Sequence, residues 1–147
     1  MDEGVARLLD ERDIVALAVR YCWCLDTGDG EGLRDVFTPD AHASLGTDCH
    51  GIDAIVERVT SALAPLDASQ HMVNTHDVRI DGDTATARCY FHAQHVLRGR
   101  EGGDSFIVAG IYHDRLVRTD AGWRIVRRVL ETLWTEGNQR VVRPDRH

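Results

Sequence analysis

The hydrophobic period of this chain changes near Ser69. Before it, apolar residues recur at spacings of three and four; after it, they alternate with polar ones. A chain patterned in this way places helices first and strands afterwards, an α+β plan in which the helices cover one face of a single sheet. The first helical stretch runs from Val5 to Leu25, with Ile14, Leu17, Ala18, Tyr21, Cys22 and Leu25 on one stripe, and Gly28 and Gly30 stop it. A short second helix is expected around Leu33, Val36 and Phe37, ending at Thr38-Pro39, and Ala41 to Leu45 reads as a brief strand. Gly51 opens a third helix, whose stripe is Ile52, Ile55, Val56, Val59 and Leu63 and which Pro65 breaks. Turn signals at Asp81-Gly82-Asp83, Gly99 to Gly103 and Asp120-Ala121-Gly122 then divide the rest into four strands. These are placed near Gln70 to Ile80, Thr84 to Arg98, Ser105 to Thr119 and Trp123 to Trp134. The expected fold is three N-terminal helices packed into the mouth of a strongly bent, mainly antiparallel sheet.

At 147 residues, 43% of them apolar, the chain fits a single domain over residues 1–147, with a polar tail from Arg140 to His147 that is expected to fray. Its 24 acidic residues against 17 basic ones give a net charge of -7, which leaves no electrostatic grip for a nucleic-acid partner. All the basic residues are arginine, so Schiff-base and phosphate-loop lysine chemistry is excluded. The acidic opening, Met1 to Asp13, is unlike a signal peptide, and the apolar runs Ile14 to Val19 and Phe106 to Ile111 are far short of the roughly 20 residues of a membrane span. A cytoplasmic protein with free Cys22, Cys24, Cys49 and Cys89 and no membrane partner is the expectation.

Asp26 lies four residues after Cys22, on or beside the buried stripe of the first helix. The negative end of the helix dipole and partial burial both oppose its charge, so its pKa should rise unless a cation or hydrogen-bond donor compensates. The position also suits a solvated aspartate in the turn Thr27-Gly28-Asp29-Gly30. His71, where the strands begin, reads either as a packed strand histidine or as a catalyst. If Asp26 faces it, a carboxylate on one imidazole nitrogen fixes the tautomer and raises basicity, and the other nitrogen is left to take a substrate proton.

Strand parity puts Tyr90, His92 and Gln94 on one face of the second strand and Cys89, Phe91, Ala93 and His95 on the other. Periodicity leaves open which set faces inward. A metal site finds no support, because His92 and His95 point to opposite faces, Cys22 and Cys24 diverge around the helix, and no Cys-x2-Cys or His-Glu-x2-His motif occurs. No Gly-x-Gly-x2-Gly fingerprint for a dinucleotide is present either.

Four segments, in this order, resemble the SnoaL-like branch of the nuclear transport factor 2-like superfamily of cone-shaped α+β barrels. They are Tyr21-x4-Asp26-x-Gly28-Asp29, Leu33-x2-Val36-Phe37-Thr38-Pro39-Asp40-Ala41, Gln70-His71-Met72-Val73-Asn74 and Asp120-Ala121-Gly122-Trp123-Arg124-Ile125. The resemblance to scytalone dehydratase, hexachlorocyclohexane dehydrochlorinase and bile acid 7α-dehydratase implies that Asp26 and His71 are a working dyad. It further implies that Tyr21 and an arginine of the last strand polarise the substrate. Arg128 matches that arginine; Arg127 is the alternative, because a bulge after Trp123 would change which neighbour faces inward. Tyr90 and His92, with Leu130 and Thr132, are the implied pocket residues, His92 serving as a second acid or else lying on a surface or dimer face.

The function so implied is cofactor-independent acid-base catalysis, a lyase or isomerase of dehydratase or cyclase type, on a hydrophobic small molecule such as a polyketide, steroid or terpenoid. The alternatives are a non-catalytic binding or dimerisation module and the small subunit of a ring-hydroxylating dioxygenase. A homodimer through the convex face of the sheet is also expected, since an open sheet leaves apolar residues there.

Overall fold

The computed structural model describes residues 1–143. Helix α1 spans Glu3–Asp26. Its first turn is capped by Asp2, whose carboxylate accepts from the backbone N–H groups of Gly4 and Val5 at 2.7 and 3.2 Å. Its buried stripe is Ile14, Leu17, Ala18, Tyr21, Cys22, Cys24 and Leu25. The helix stops at Thr27, after which Gly28 takes a φ of +70°. Helix α2, Ile52–Leu63, buries Ile52, Ile55 and Val59.

Between them the expected second helix is a single 3₁₀ segment, Glu31–Asp35, and Phe37 already belongs to a strand. The physical reason is length: a strand already begins at Phe37, and the five residues Glu31–Asp35 left between the glycine turn and that strand are too few to propagate an α-helix. Leu33, Val36 and Phe37 are nonetheless fully buried, so the segment plugs one end of the core.

The strands are β1 (Phe37–Ser44), β2 (Asp48–His50), β3 (Ala68–Asp81), β4 (Thr84–Val96), β5 (Ser105–Thr119) and β6 (Gly122–Gly137). They form one sheet in the order β2-β1-β6-β5-β4-β3, whose ends do not pair with each other, so the expected barrel is an open curved sheet. All neighbours are antiparallel except β1 and β6. The short β2 was not expected from the sequence. Within the tail expected to fray, Gln139–Val141 is a 3₁₀ turn with Val141 3% exposed, and Pro144 to His147 lie outside the described residues.

Irregularities in the long strands supply the curvature. Register shifts interrupt β3 between Asn74 and Asp77, and the β5–β6 pair at Ala109/Gly110 and Arg115/Leu116. At Gly110 the two backbones approach so closely that a Cβ would run into the Glu131 carbonyl. The second of the β5–β6 shifts leaves Val126 without a partner, because Arg115 faces Arg127 while Leu116 faces Ile125. Trp123 and Ile125 therefore point into the core, and the next residue to do so is Arg128 rather than Arg127. The helices are tied to the hairpin end by Asp10, which accepts two hydrogen bonds from Arg118 (2.7 and 2.9 Å) and one from Trp123 Nε1 (3.0 Å).

Candidate active site

The last turn of α1 and the first residues of β3 meet at the Asp26 carboxylate. Its Oδ1 lies 2.7 Å from His71 Nδ1 and accepts from the Ser69 hydroxyl at 2.9 Å, while Oδ2 accepts the His71 backbone N–H at 2.7 Å. A carboxylate can only accept, so the short contact to the ring places a proton on Nδ1, and in the neutral ring Nε2 is then the acceptor. The backbone N–H bond adds a second point of attachment and fixes the strand carrying the ring against the helix.

Burial works to raise the Asp26 carboxyl, as expected from the sequence. The ring, backbone and Ser69 hydrogen bonds outweigh it, and the pKa ends below the ordinary carboxylate value. The compensating donors were the unknown in the sequence argument. Ser69 and the backbone of His71 supply them.

His71 lines a cavity of about 1050 Å³ between α2, the concave face of the sheet and the segment after β6. Tyr21, Phe91, Ala93, Tyr112 and Leu130 also line it, together with His95. Thus Tyr21 and Leu130 fall where the sequence reading put them, and the other four candidates do not. Tyr90 is 50% exposed on the outer face of the sheet, alongside Met72 and Trp134. His92 is on that outer face too, edge-on to Trp134 with ring centroids 5.7 Å apart. Thr132 lies outside the cavity lining, in the stretch Glu131 to Gly137 that is exposed throughout. The reason for the inversion on β4 is burial: the set Cys89, Phe91 and Ala93 is the apolar one, and the set Tyr90, His92 and Gln94 is the one that tolerates water.

His95 consequently turns inward and is the residue the sequence reading missed. Its ring stands edge-on to that of His71, with centroids 5.8 Å apart, and its Nδ1 lies 3.1 Å from the Phe106 carbonyl. A carbonyl accepts, so Nδ1 carries the proton here as well. Burial lowers the pKa of His95, which keeps the ring neutral at neutral pH with Nε2 as an acceptor. The signal that finds it is the apolar company of its strand face.

Arg128 does not reach the cavity. It is 0% exposed and forms two hydrogen bonds to Asp114, Nε to Oδ1 at 2.8 Å and Nη2 to Oδ2 at 2.7 Å. Its guanidinium lies between two phenol rings, 4.4 Å from the centroid of Tyr21 and 4.2 Å from that of Tyr112. The expected direct contact between Arg128 and substrate is thereby replaced by an indirect one: the ion pair holds the two tyrosines that line the cavity. Burial pushes the Tyr21 phenol up to about 12, with Arg128 pulling the other way, and Tyr112 is also raised by burial. Both stay protonated and available as donors. Among the described residues no group of three histidine, cysteine, aspartate or glutamate side chains is placed to hold a metal ion, the four cysteines are free and buried, and no helix is long and apolar enough to cross a membrane.

The family model of the SnoaL-like domain matches residues 6–129. The chain belongs to the SnoaL-like family. An uncharacterised protein of Mycobacterium tuberculosis, Rv2910c, is 35% identical over 134 residues, covering 86% of this chain and 87% of its own. Two solved structures share the fold at low identity. One, from Novosphingobium aromaticivorans, carries the provisional name scytalone dehydratase and has a TM-score of 0.83 at 22% identity, covering 92% of this chain and 91% of that one. The other, a type 2 hexachlorocyclohexane dehydrochlorinase, has a TM-score of 0.82 at 14% identity over 92% and 93% of the two chains. The same fold is seen in a nuclear transport factor 2-like superfamily protein of Salmonella enterica, with a TM-score of 0.78 at 17% identity over 86% and 92% of the two chains.

Proposed function

We propose that this SnoaL-like protein is a lyase or isomerase that works without a cofactor, with His71 as general base, on a hydrophobic small molecule of polyketide, steroid or terpenoid type. The observation that carries the reading is the Asp26–His71 contact of 2.7 Å at the wall of a cavity large enough for a ring system. Asp26 holds the proton on Nδ1, so Nε2 is the atom that removes a proton from a carbon beside an activating carbonyl. The phenols of Tyr21 and Tyr112 donate to the oxygen on which negative charge develops, in a pocket that Phe91, Leu130 and Val108 keep apolar. In a dehydration, the electron pair of the broken C–H bond forms the new double bond. The leaving hydroxyl then departs as water with the proton returned by the protonated His71. His95 is placed to accept a hydrogen bond from that hydroxyl and so orient it. The dehydratase and dehydrochlorinase names of the two structural neighbours are consistent with such chemistry.

The experiment is a screen of β-hydroxy ketones and β-hydroxy thioesters with apolar bodies, read by the ultraviolet absorbance of the conjugated double bond. The purified chain alone should turn over at least one of them, and His71→Ala should abolish the rate. A chain that binds members of the panel with no turnover in any, or that works only beside a large oxygenase subunit, overturns the reading in favour of a binding module or a subunit role.

The reading includes a homodimer through the outer face of the sheet. Met72, Tyr90 and Trp134 are each close to half exposed there, at 45%, 50% and 47%.

A further inference from the structure

The cavity that holds His71 is lined by arginines on an anionic protein. Its wall includes Arg58, Arg100 and Arg143, and among the described residues no aspartate or glutamate lines it; Asp26 stands behind His71. The whole chain carries a net charge of -7, so a random sample of its surface would hold more carboxylates than guanidiniums. The three arginines come from three separate parts of the fold: the middle of α2, the β4–β5 hairpin and the segment after the terminal 3₁₀ turn. Several other arginines of the fold pair with carboxylates. Arg34 pairs with Glu31 and Asp53, Arg118 with Asp10 and Asp83, and Arg140, three residues before Arg143, with Glu101. Arg58 instead donates from Nε and Nη2 to the Leu45 carbonyl, at 3.3 and 3.2 Å, which steadies the side chain and leaves its charge without a carboxylate among the described residues. Arg143 likewise has no carboxylate partner among them.

We propose that the ligand of this cavity is an apolar molecule bearing an oxyanion, and that Arg58 and Arg143 bind that oxyanion while the apolar body lies over Phe91, Leu130 and Tyr112. Guanidinium groups match carboxylate and phosphate oxygens by paired hydrogen bonds. The local cationic wall also offsets the repulsion that an overall negative protein exerts on an approaching anion. This deepens the catalytic reading and rests on the same cavity, but not on any proton transfer within it.

The test uses three probes with one apolar body: 2-naphthoate, 2-naphthyl phosphate and the neutral 2-naphthamide. Binding to the full chain is measured by calorimetry at pH 8.5, where a histidine of ordinary pKa is neutral. At least one anion is expected to bind about tenfold more tightly than the amide, the scale of a charge-assisted hydrogen bond at a partly exposed site, and which anion is favoured identifies carboxylate or phosphate as the group recognised. Arg58→Gln and Arg143→Gln should each lower the preference several-fold and together abolish it, with amide binding unchanged. Arg143→Gln breaks no hydrogen bond among the described residues, so it serves where Arg58→Gln fails to fold. His71→Ala should keep the preference. That variant separates this inference from the catalytic one, because it removes the base and leaves the anion site. Equal binding of the three probes, a preference that survives both arginine changes, or one lost only in His71→Ala overturns the proposal.

Discussion

Replacing Asp26 by asparagine changes one atom and reverses the chemistry of His71. Three donors converge on the native carboxylate: the Ser69 hydroxyl, the His71 backbone N–H and the His71 ring. An asparagine side chain has one acceptor oxygen and an NH₂ group that can only donate. If its oxygen faces the ring, the NH₂ group meets the backbone N–H, two donors in contact, with the backbone N–H left unsatisfied. If its oxygen faces the backbone N–H, the NH₂ group donates to Nδ1, the ring proton moves to Nε2, and Ser69 turns its hydroxyl to accept. The second arrangement satisfies every group, so the ring should adopt it. Nε2 then carries a proton and cannot remove one. Turnover should fall by roughly 10³ to 10⁴-fold, the scale seen when a catalytic histidine is held in the wrong tautomer. Because most of the hydrogen bonds are replaced, the stability loss should be only about 1–2 kcal/mol. The assay is the initial rate on the substrate found by absorbance screening, paired with ¹⁵N NMR of the ring nitrogens. A variant that keeps more than a tenth of the native rate, or a ring that retains its Nδ1 proton, refutes the reasoning.

Asp114→Asn should be far more damaging to stability, because it leaves the 0% exposed Arg128 without its counter-charge; a loss of about 3–5 kcal/mol is expected, seen as a thermal midpoint roughly 10–15 °C lower, whereas Arg127→Gln on the exposed neighbour should change it little. Asp10 is held down to about 2 by Arg118 and Trp123, below its ordinary 3.8, so it contributes stability that is fully present above pH 4 and is lost as the pH falls towards 2. In Asp10→Asn the midpoint should be lower at pH 7, and the gap to the native protein should close across that window. Light scattering at micromolar concentration should give a dimer, and Trp134→Glu on the outer face should give a monomer; a native monomer contradicts the dimer.

The helices and long strands were legible in the sequence because their information is local. The stripe from Ile14 to Leu25 and the alternation after Ser69 each repeat often enough to define a period. The pairing of β1 with β6 is not local: it joins residues such as Ala43 and Arg128 that are far apart in the chain, and nothing in either segment names the other. The site was legible where it depended on element ends, since the last turn of α1 and the first residues of β3 bring Asp26 to His71. It was less so where it depended on strand parity. The unpaired Val126 decides Arg128 over Arg127, and the apolar character of Phe91 and Ala93 decides His95 over His92. The role of Arg128 needed Asp114, a partner on the neighbouring strand that no motif announces.

The central claim is that Nε2 of His71 takes a proton from carbon, and solvent exchange reads that step alone. A ketone that binds the cavity, incubated with the protein in D₂O, should gain deuterium at its acidic α-carbon at a rate that His71→Ala lowers by at least roughly 10²-fold while the ketone still binds. Exchange in His71→Ala as fast as in the native protein, with binding intact, would contradict the account.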